Sequence, residues 1–295
     1  MSVQRISIIL LFNLSLWLGA GWWSAQPPVI AGEIDFSGPT YWADVQRWPA
    51  SSTIIYSLDQ GVLISQDSHR LRPIASLSKL VTALVILAEQ PDWQALYTLK
   101  KEDQRHGNIA YIYPGETVTI NDLWQASLLA SDNTAIQALV RAVSLTDEQF
   151  RQRADQLAQQ LLIGNDLRIE EPTGLSSNNQ ASALAMVQVI REALARPEIR
   201  QASLLDRYEI KTKQGRRQVV TNTDSFIRQA TPLPDGWQIL GGKTGYIDQA
   251  GYCFAALWQN QAGQQVISVV LGSPSKDGRF HTTSDLLDYV TEKYY

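Results

Sequence analysis

Arg72-Pro73-Ile74-Ala75-Ser76-Leu77-Ser78-Lys79-Leu80-Val81-Thr82-Ala83 is the stretch where the chain changes its period. Up to Ala75 it reads as extended chain. From Leu77 onward, apolar residues recur at helical spacing through Leu80, Val81, Leu84, Val85 and Leu87-Ala88, nearly all round, which predicts a buried helix. Ser76 therefore stands where a helix begins. Residues three apart share a helix face, so Ser76 and Lys79 can hydrogen-bond. The free N–H groups and positive dipole end of a helix start favour negative charge developing near Ser76. A serine becomes a nucleophile only beside a base. A lysine serves as that base only when neutral, and both burial and a second nearby cation lower its pKa.

Two further clusters complete a constellation. Ser131-Asp132-Asn133 falls between two helical patterns; its serine can relay protons and its amide can hold a peptide bond. Gly242-Lys243-Thr244-Gly245 opens a strand pattern. Lys243 can be the second cation, Thr244 can bind a carboxylate, and the glycines Gly242 and Gly245 let a substrate backbone approach the strand edge. Each short pattern alone is weak. Ser273-Pro274-Ser275-Lys276 repeats the first spacing in a loop, and Ser176-Ser177-Asn178 and Ser177-Asn178-Asn179 repeat the second. The bland readings are a helix cap for Ser76, caps for Ser131 and Asn133, and an edge-strand charge for Lys243. The order of the three clusters, at a helix start, an inter-helix turn and a strand start, favours chemistry.

Outward from these clusters, Thr53–Ser57 and Gly61–Ser65 flank Leu58-Asp59-Gln60 as a β-hairpin. Helical patterns cover Ile120–Leu129, Thr134–Ala142, Asp147–Leu162 and Ala181–Ala195, the last ending before Pro197. Strand patterns return at Gln238–Gly242, Gly251–Trp258 and Gln265–Leu271, and a helix over about Thr282–Tyr294 follows. Strands at both ends with helices between predict an α+β fold: one antiparallel sheet from both chain ends, flanked by helices, with an adjoining helical lobe.

The chain has 295 residues, 44% of them hydrophobic and 18% charged, with a formal net charge of −4. That suits one large core and excludes the basic footprint of a nucleic-acid binder. The single Cys253, in an apolar run, permits no intramolecular disulfide or cysteine metal site and reads as core. His69, His106 and His281 are scattered; neither a G-x-S-x-G elbow nor an H-E-x-x-H pattern is present, so no metal site and no cofactor are expected. The nine tryptophans are dispersed and read as packing rather than a sugar-stacking surface. Arg5 followed by an apolar run to about Ala25 reads as an export signal over residues 1–25, or as an N-terminal anchor with peripheral membrane association. Residues 26–50, with Pro27-Pro28 and Gly32, read as a linker into a domain over 51–295. The body is thus expected outside the cytoplasm, in the periplasm or an equivalent space.

The sequence resembles the low-molecular-mass penicillin-binding proteins, the D-alanyl-D-alanine carboxypeptidase and endopeptidase family. The resemblance runs through the stretch 72–83, Pro114-Gly115-Glu116-Thr117-Val118-Thr119-Ile120-Asn121-Asp122-Leu123, Glu171-Pro172-Thr173-Gly174-Leu175-Ser176, Gly242-Lys243-Thr244-Gly245-Tyr246 and Gly251-Tyr252-Cys253, covering residues 50 to 290. It implies a β-lactamase/DD-peptidase-like fold and acyl transfer on the stem peptides of peptidoglycan, with β-lactam antibiotics as inhibitors. It implies Ser76 as the acylated nucleophile, Lys79 as its base, Ser131 and Asn133 along the cleft, and Lys243 and Thr244 as the far wall. The backbone N–H groups of Ser76 and Tyr246 would form the oxyanion hole, typically worth about 3 to 4 kcal/mol per donor. Arg279, in Asp277-Gly278-Arg279-Phe280, matches a family arginine that helps hold a terminal carboxylate, a task suited to its fork.

Two features depart from the usual family pattern. Asp132 gives a Ser-Asp-Asn triplet, common in class A β-lactamases, whose extra glutamate activates the deacylating water; Glu170 and Glu171 lie in roughly the corresponding stretch. The chain also stops soon after its last helix, which, with the His69–Pro73 lead-in, is more like the endopeptidase branch. A serine β-lactamase and a non-catalytic wall-binding protein of the same fold are the alternatives. The resemblance does not separate D,D-carboxypeptidase from D,D-endopeptidase.

Overall fold

The computed structural model describes residues 47–107 and 109–295; the expected leader over 1–25 and the linker up to residue 46 lie outside them. The chain opens on the expected hairpin of Ser52–Ser57 (β1) and Gly61–Gln66 (β2). A two-residue strand, Arg72–Pro73 (β3), leads to a single 3₁₀ turn over Ala75–Leu77 and then to the apolar helix Ser78–Ala88 (α1). The helical lobe follows. Leu96–Thr98 (β4) pairs with Thr117–Thr119 (β5), ahead of Ile120–Leu128 (α2), Asn133–Ala142 (α3) and Asp147–Gln160 (α4). Three of these bounds follow from side chains that close a helix start. Thr119 accepts from the Asp122 amide, Asp132 from those of Thr134 and Ala135, and Thr146 from that of Gln149.

Leu167–Arg168 (β6) and Gln180–Ala181 (β7) extend β3 into a small sheet, and Ala183–Ala195 (α5) follows, capped by Ser182. The short strands β4 to β7 were not expected, nor were the three elements that follow. Pro197 does not merely end α5; it begins a short helix, Pro197–Leu204 (α6), where its missing N–H costs nothing. Arg207–Lys211 (β8) and Arg217–Thr221 (β9) then form a hairpin whose charged residues face solvent and bury only Ile210 and Val220. With so few buried positions, the hairpin carries little hydrophobic signal.

The chain ends in Trp237–Ile247 (β10), Gly251–Asn260 (β11), Gln265–Ser273 (β12) and Gly278–Tyr294 (α7). The sheet order is β10-β11-β12-β1-β2, antiparallel throughout, so both ends of the chain build one sheet as expected. Both faces are covered. Phe254, Ala256 and Trp258 alternate toward α7, where Phe280, Leu286, Leu287 and Val290 complete a core; Ala255 and Leu257 alternate to the face packed by α5. That explains why β1 is buried at all six positions. Trp48, at the end of the expected linker, packs into this core and binds Gln66.

Two details position the site. The Lys243-Thr244-Gly245 triplet does not open its strand: β10 is eleven residues long and the triplet lies in its second half. The pattern breaks at Gly241, where φ is 143° and the pairing with β11 shifts register. β10 is also an edge strand, so its outer side is open toward the helical lobe. Trp258 is fully buried, packs edge-on against Phe226 and donates to the Ser268 hydroxyl. Trp258→Ala should cost about 3–5 kcal/mol in a urea unfolding curve, because the cavity under α7 cannot collapse.

Candidate active site

The site is built on a backbone turn that an α-helix cannot make. Ala75 has φ 48°, a left-handed conformation costing roughly 1–3 kcal/mol for a residue with a Cβ. Ser76 therefore sits in the 3₁₀ turn, not on the first turn of α1 as its spacing predicts, and the helix proper starts at Ser78. The strained turn is held from three sides. The Ile74 amide donates to Asn179 O at 3.0 Å. Gly174, itself at φ 85°, lies so close that a Cβ there would stand 2.2 Å from the Ala75 carbonyl oxygen. A Cβ on Gly245 of β10 would stand 3.0 Å from the Ser76 nitrogen and 3.0 Å from Ile74 O. Glycine at both positions is thus what lets a loop and a strand edge close on Ser76.

Lys79 lies beneath Ser76 and is fully buried. Its Nζ is 2.9 Å from Ser76 Oγ and 2.7 Å from Asn133 Oδ1, and it also donates to the Thr173 carbonyl. Both Asn133 Oδ1 and Thr173 O only accept. A neutral amine has two N–H bonds and one lone pair, so these acceptors use its hydrogens and the lone pair is left facing the Ser76 hydroxyl. Burial lowers the Lys79 pKa to about 7 against the opposing pull of the Glu171 and Asp132 carboxylates. The arrangement can take a proton from Ser76 at neutral pH.

On the opposite wall, Lys243 Nζ donates to Ser131 Oγ at 2.9 Å and to Thr244 O at 3.0 Å. Burial, then the charges of Lys79 and Arg279, push Lys243 well below the usual lysine range. Ser131 also has positive φ, at 60°. Asp132 does not face the cleft. It is buried, with Oδ1 capping α3 and Oδ2 accepting from the Tyr111 amide at 2.9 Å. Burial raises its pKa against the pull of those N–H donors. Its role here is to tie Tyr111 to the start of α3.

Ser76, Ser131, Asn133, Thr244, Gly245, Tyr246 and Arg279 all line one cleft of about 330 Å³. Arg279 is placed differently from a free fork. It is buried on the first turn of α7, and its Nη1 already donates to Gly245 O (3.1 Å) and Cys253 O (3.3 Å). The same nitrogen thus ties β10 to β11, while buried Nε has no partner among the described residues. Cys253 is fully buried beneath, its thiol pushed up to about 11 by burial. The three histidines are not among the lining residues.

Two residues beside the cleft, Thr223 and Asp224, carried no sequence signal. The Thr223 hydroxyl shares a 2.6 Å hydrogen bond with that of Thr244. Asp224, one residue on, is buried with one carboxylate oxygen unpartnered among the described residues. Burial raises its pKa to about 6, against the Phe226 and Ile227 amides and the charges of Arg279 and Lys243. Glu171 folds back on its own loop, accepting from the amides of Thr173, Gly174 and Ser176, from the Thr173 hydroxyl and from Asn179. Glu170 is exposed and bonds Ser176 and Asn178. Neither glutamate lines the cleft.

Gly174→Ala should abolish most reaction at Ser76, by about 100-fold or more in the rate of labelling by an acylating probe, because the Ala75 peptide must shift. Gly215→Ala is the control. Its φ is 91° with nothing within 4 Å of the added methyl, so it should lower stability by about 1 kcal/mol and leave the labelling rate unchanged.

The sequence profile of the D-alanyl-D-alanine carboxypeptidases matches residues 42–275. The D-alanyl-D-alanine endopeptidase of Haemophilus influenzae is 28% identical over 224 residues, covering 75% of this chain and 74% of that protein. The D-alanyl-D-alanine carboxypeptidase DacF of Bacillus subtilis is 25% identical over 252 residues, covering 83% of this chain and 63% of its own length. Penicillin-binding protein D2 of Listeria monocytogenes, solved in a cefotaxime-bound form, superposes with a TM-score of 0.71 at 25% identity, over 83% of this chain and 98% of that one. With the matched stretch holding Ser76, Ser131, Asn133, Thr244 and Gly245 on one cleft and Lys79 and Lys243 bonded to its two serines, this chain belongs to the D-alanyl-D-alanine carboxypeptidase family and is a serine-type peptidase.

Proposed function

We propose that this protein hydrolyses D-alanyl bonds in peptidoglycan stem peptides through an acyl-enzyme on Ser76. The observation that carries the reading is the Lys79 amine, held by two carbonyl acceptors with its remaining valence 2.9 Å from the Ser76 hydroxyl. Lys79 takes the Ser76 proton as Oγ attacks the carbonyl of the penultimate D-alanine. The oxyanion forms beside the Ser76 nitrogen and the β10 backbone at Gly245-Tyr246, where donors aimed at developing charge are worth about 3–4 kcal/mol each. The Ser131–Lys243 pair delivers a proton to the departing amine, and the C–N bond breaks. Water then attacks the ester and releases the shortened stem. Asn133, its Oδ1 engaged by Lys79, presents Nδ2 to a substrate carbonyl. Thr244 and Arg279 receive the carboxylate of the leaving residue, Arg279 through the part of its fork not tied to β10 and β11.

The β-lactams enter as acyl donors to the same serine. The structure of a relative bound to cefotaxime supports that binding. The turnover of a β-lactamase is disfavoured because Glu171 spends its acceptors on its own loop and no carboxylate is among the residues lining the cleft. The apolar run from Ile6 to about Ala25 supports a site of action beyond the cytoplasmic membrane, with or without anchoring by that run.

Labelled penicillin should acylate the wild-type protein and give a long-lived adduct, and Ser76→Ala should give none. Retained covalent labelling in Ser76→Ala would refute the assignment. The acylation rate should depend on pH with a definite sign. Lys79 acts only when neutral, so kcat/KM should rise through about pH 7 and fall about tenfold per pH unit below it. Lys79→Arg, which stays charged, should lose that limb together with most of the rate. A profile that is flat between pH 5 and 9 would remove Lys79 from the role of base.

A further inference from the structure

The charge around the cleft mouth is lopsided. Arg228, Lys276 and Arg279 are among its lining residues, and no aspartate or glutamate is, although the whole chain carries a formal net charge of −4. Arg279 is buried and committed to β10 and β11. Arg228 and Lys276 are different. Both are exposed, and neither side chain forms an ion pair within 4 Å among the described residues. They come from separate segments, Arg228 from the turn after Thr223-Asp224 and Lys276 from the β12–α7 connection. The carboxylates nearest in sequence, Asp224 and Asp277, do not line the cleft; Asp224 is buried, and Asp248, two residues past Tyr246, is taken by the Tyr246 hydroxyl. A cleft with cations on its walls and no anions concentrates anionic ligands and orients them on entry.

The number of carboxylates on the leaving group decides what these cations can do. A terminal D-alanine that departs alone carries one carboxylate, which Thr244 and Arg279 receive. Arg228 and Lys276 would then have no leaving-group carboxylate left to bind. A stem peptide that departs from a cross-link carries a carboxylate at the D-centre of its diamino acid and at least one more along its backbone. We infer that Arg228 and Lys276 form an outer anion subsite that selects a leaving peptide with a second carboxylate, so that cross-linked stems are the preferred substrate over monomeric ones. This rests on the acyl-transfer reading of Ser76 and extends it to the leaving peptide beyond the carboxylate that Thr244 and Arg279 receive.

The test compares two purified substrates, a monomeric pentapeptide muropeptide and a cross-linked dimer, in the wild-type protein and in Arg228→Gln/Lys276→Gln. The wild type should cleave the dimer with the higher kcat/KM, and added salt should erode that advantage. The double variant should lose about tenfold on the dimer, mainly in KM, which is the scale of two solvent-screened ion pairs. Its rate on the monomer should stay within about twofold of wild type. A dimer amidated at its leaving-side carboxylates should behave with the wild type as the free-acid dimer does with the variant. Penicillin labelling of Ser76 is run alongside. Labelling with no loss on the dimer, or an equal loss on both substrates, overturns the subsite. Absence of labelling in the wild type overturns the acyl-transfer reading instead.

Discussion

The burial of Lys79 is the constraint on which the site depends. An ammonium removed from water loses hydration worth at least several kcal/mol, and only good acceptors or loss of its proton recover it. The protein supplies two carbonyl oxygens, one from Asn133 and one from Thr173, and no carboxylate in contact. The acceptors fit an amine as well as an ammonium, so proton loss is the cheaper relief, and the direction of the Lys79 shift follows. Lys243, equally buried and near two other cations, is pressed the same way. Two buried lysines on facing walls hold fewer protons together than they would apart, which is what a pair that passes protons in and out of a cleft requires.

Those acceptors are fixed by chain that does no chemistry. Thr173 O is aimed by the 171–179 loop, and Glu171 organises that loop by gathering three backbone amides. Asn133 is aimed by α3, whose start is fixed by Asp132. Two residues with side chains, Ala75 and Ser131, sit at positive φ beside the cleft. Strain of that kind persists only where neighbours over-determine the backbone. Here the neighbours are Gly174 against Ala75 on one side, and the Lys243 hydrogen bond to Ser131 on the other. Catalytic groups come from four separate segments, and the packing between those segments sets their spacing.

This division explains what was legible in the sequence. Ser76 and Lys79 are three residues apart on an apolar run, so local periodicity alone brings them to one face. The strands of the sheet were legible because their buried positions alternate or run apolar; β10 was read short because Gly241 and Gly242 interrupt the pattern where the strand bulges. Asp132 was visible as the middle of a β-lactamase-like triplet, and Glu171, with Glu170, as a carboxylate in the stretch where such enzymes activate a water. Their partners are backbone amides, which no side-chain pattern encodes. The family resemblance marked Arg279 as a carboxylate ligand, but its two bonds to β10 and β11 carbonyls depend on the approach of α7, a purely tertiary fact. Thr223 and Asp224 belong to a polar run with no periodicity, and only the fold brings Thr223 to Thr244.

The decoy motif makes the same point from the other side. Ser273-Pro274-Ser275-Lys276 repeats the nucleophile spacing, yet Ser273 is buried in β12 and its hydroxyl turns to Ser275 O. Pro274 prevents a helix from carrying the two side chains on one face, so the serine and the lysine diverge. Lys276 nevertheless lines the cleft, together with Arg279 and Tyr252. The residue that fails as a general base is exposed and stands among the residues lining the cleft. The same amine type thus does opposite work at two depths. Buried at Lys79, it gives up its proton and becomes a base. At Lys276 the amine lies exposed among the cleft's lining residues, in reach of water rather than of a buried serine.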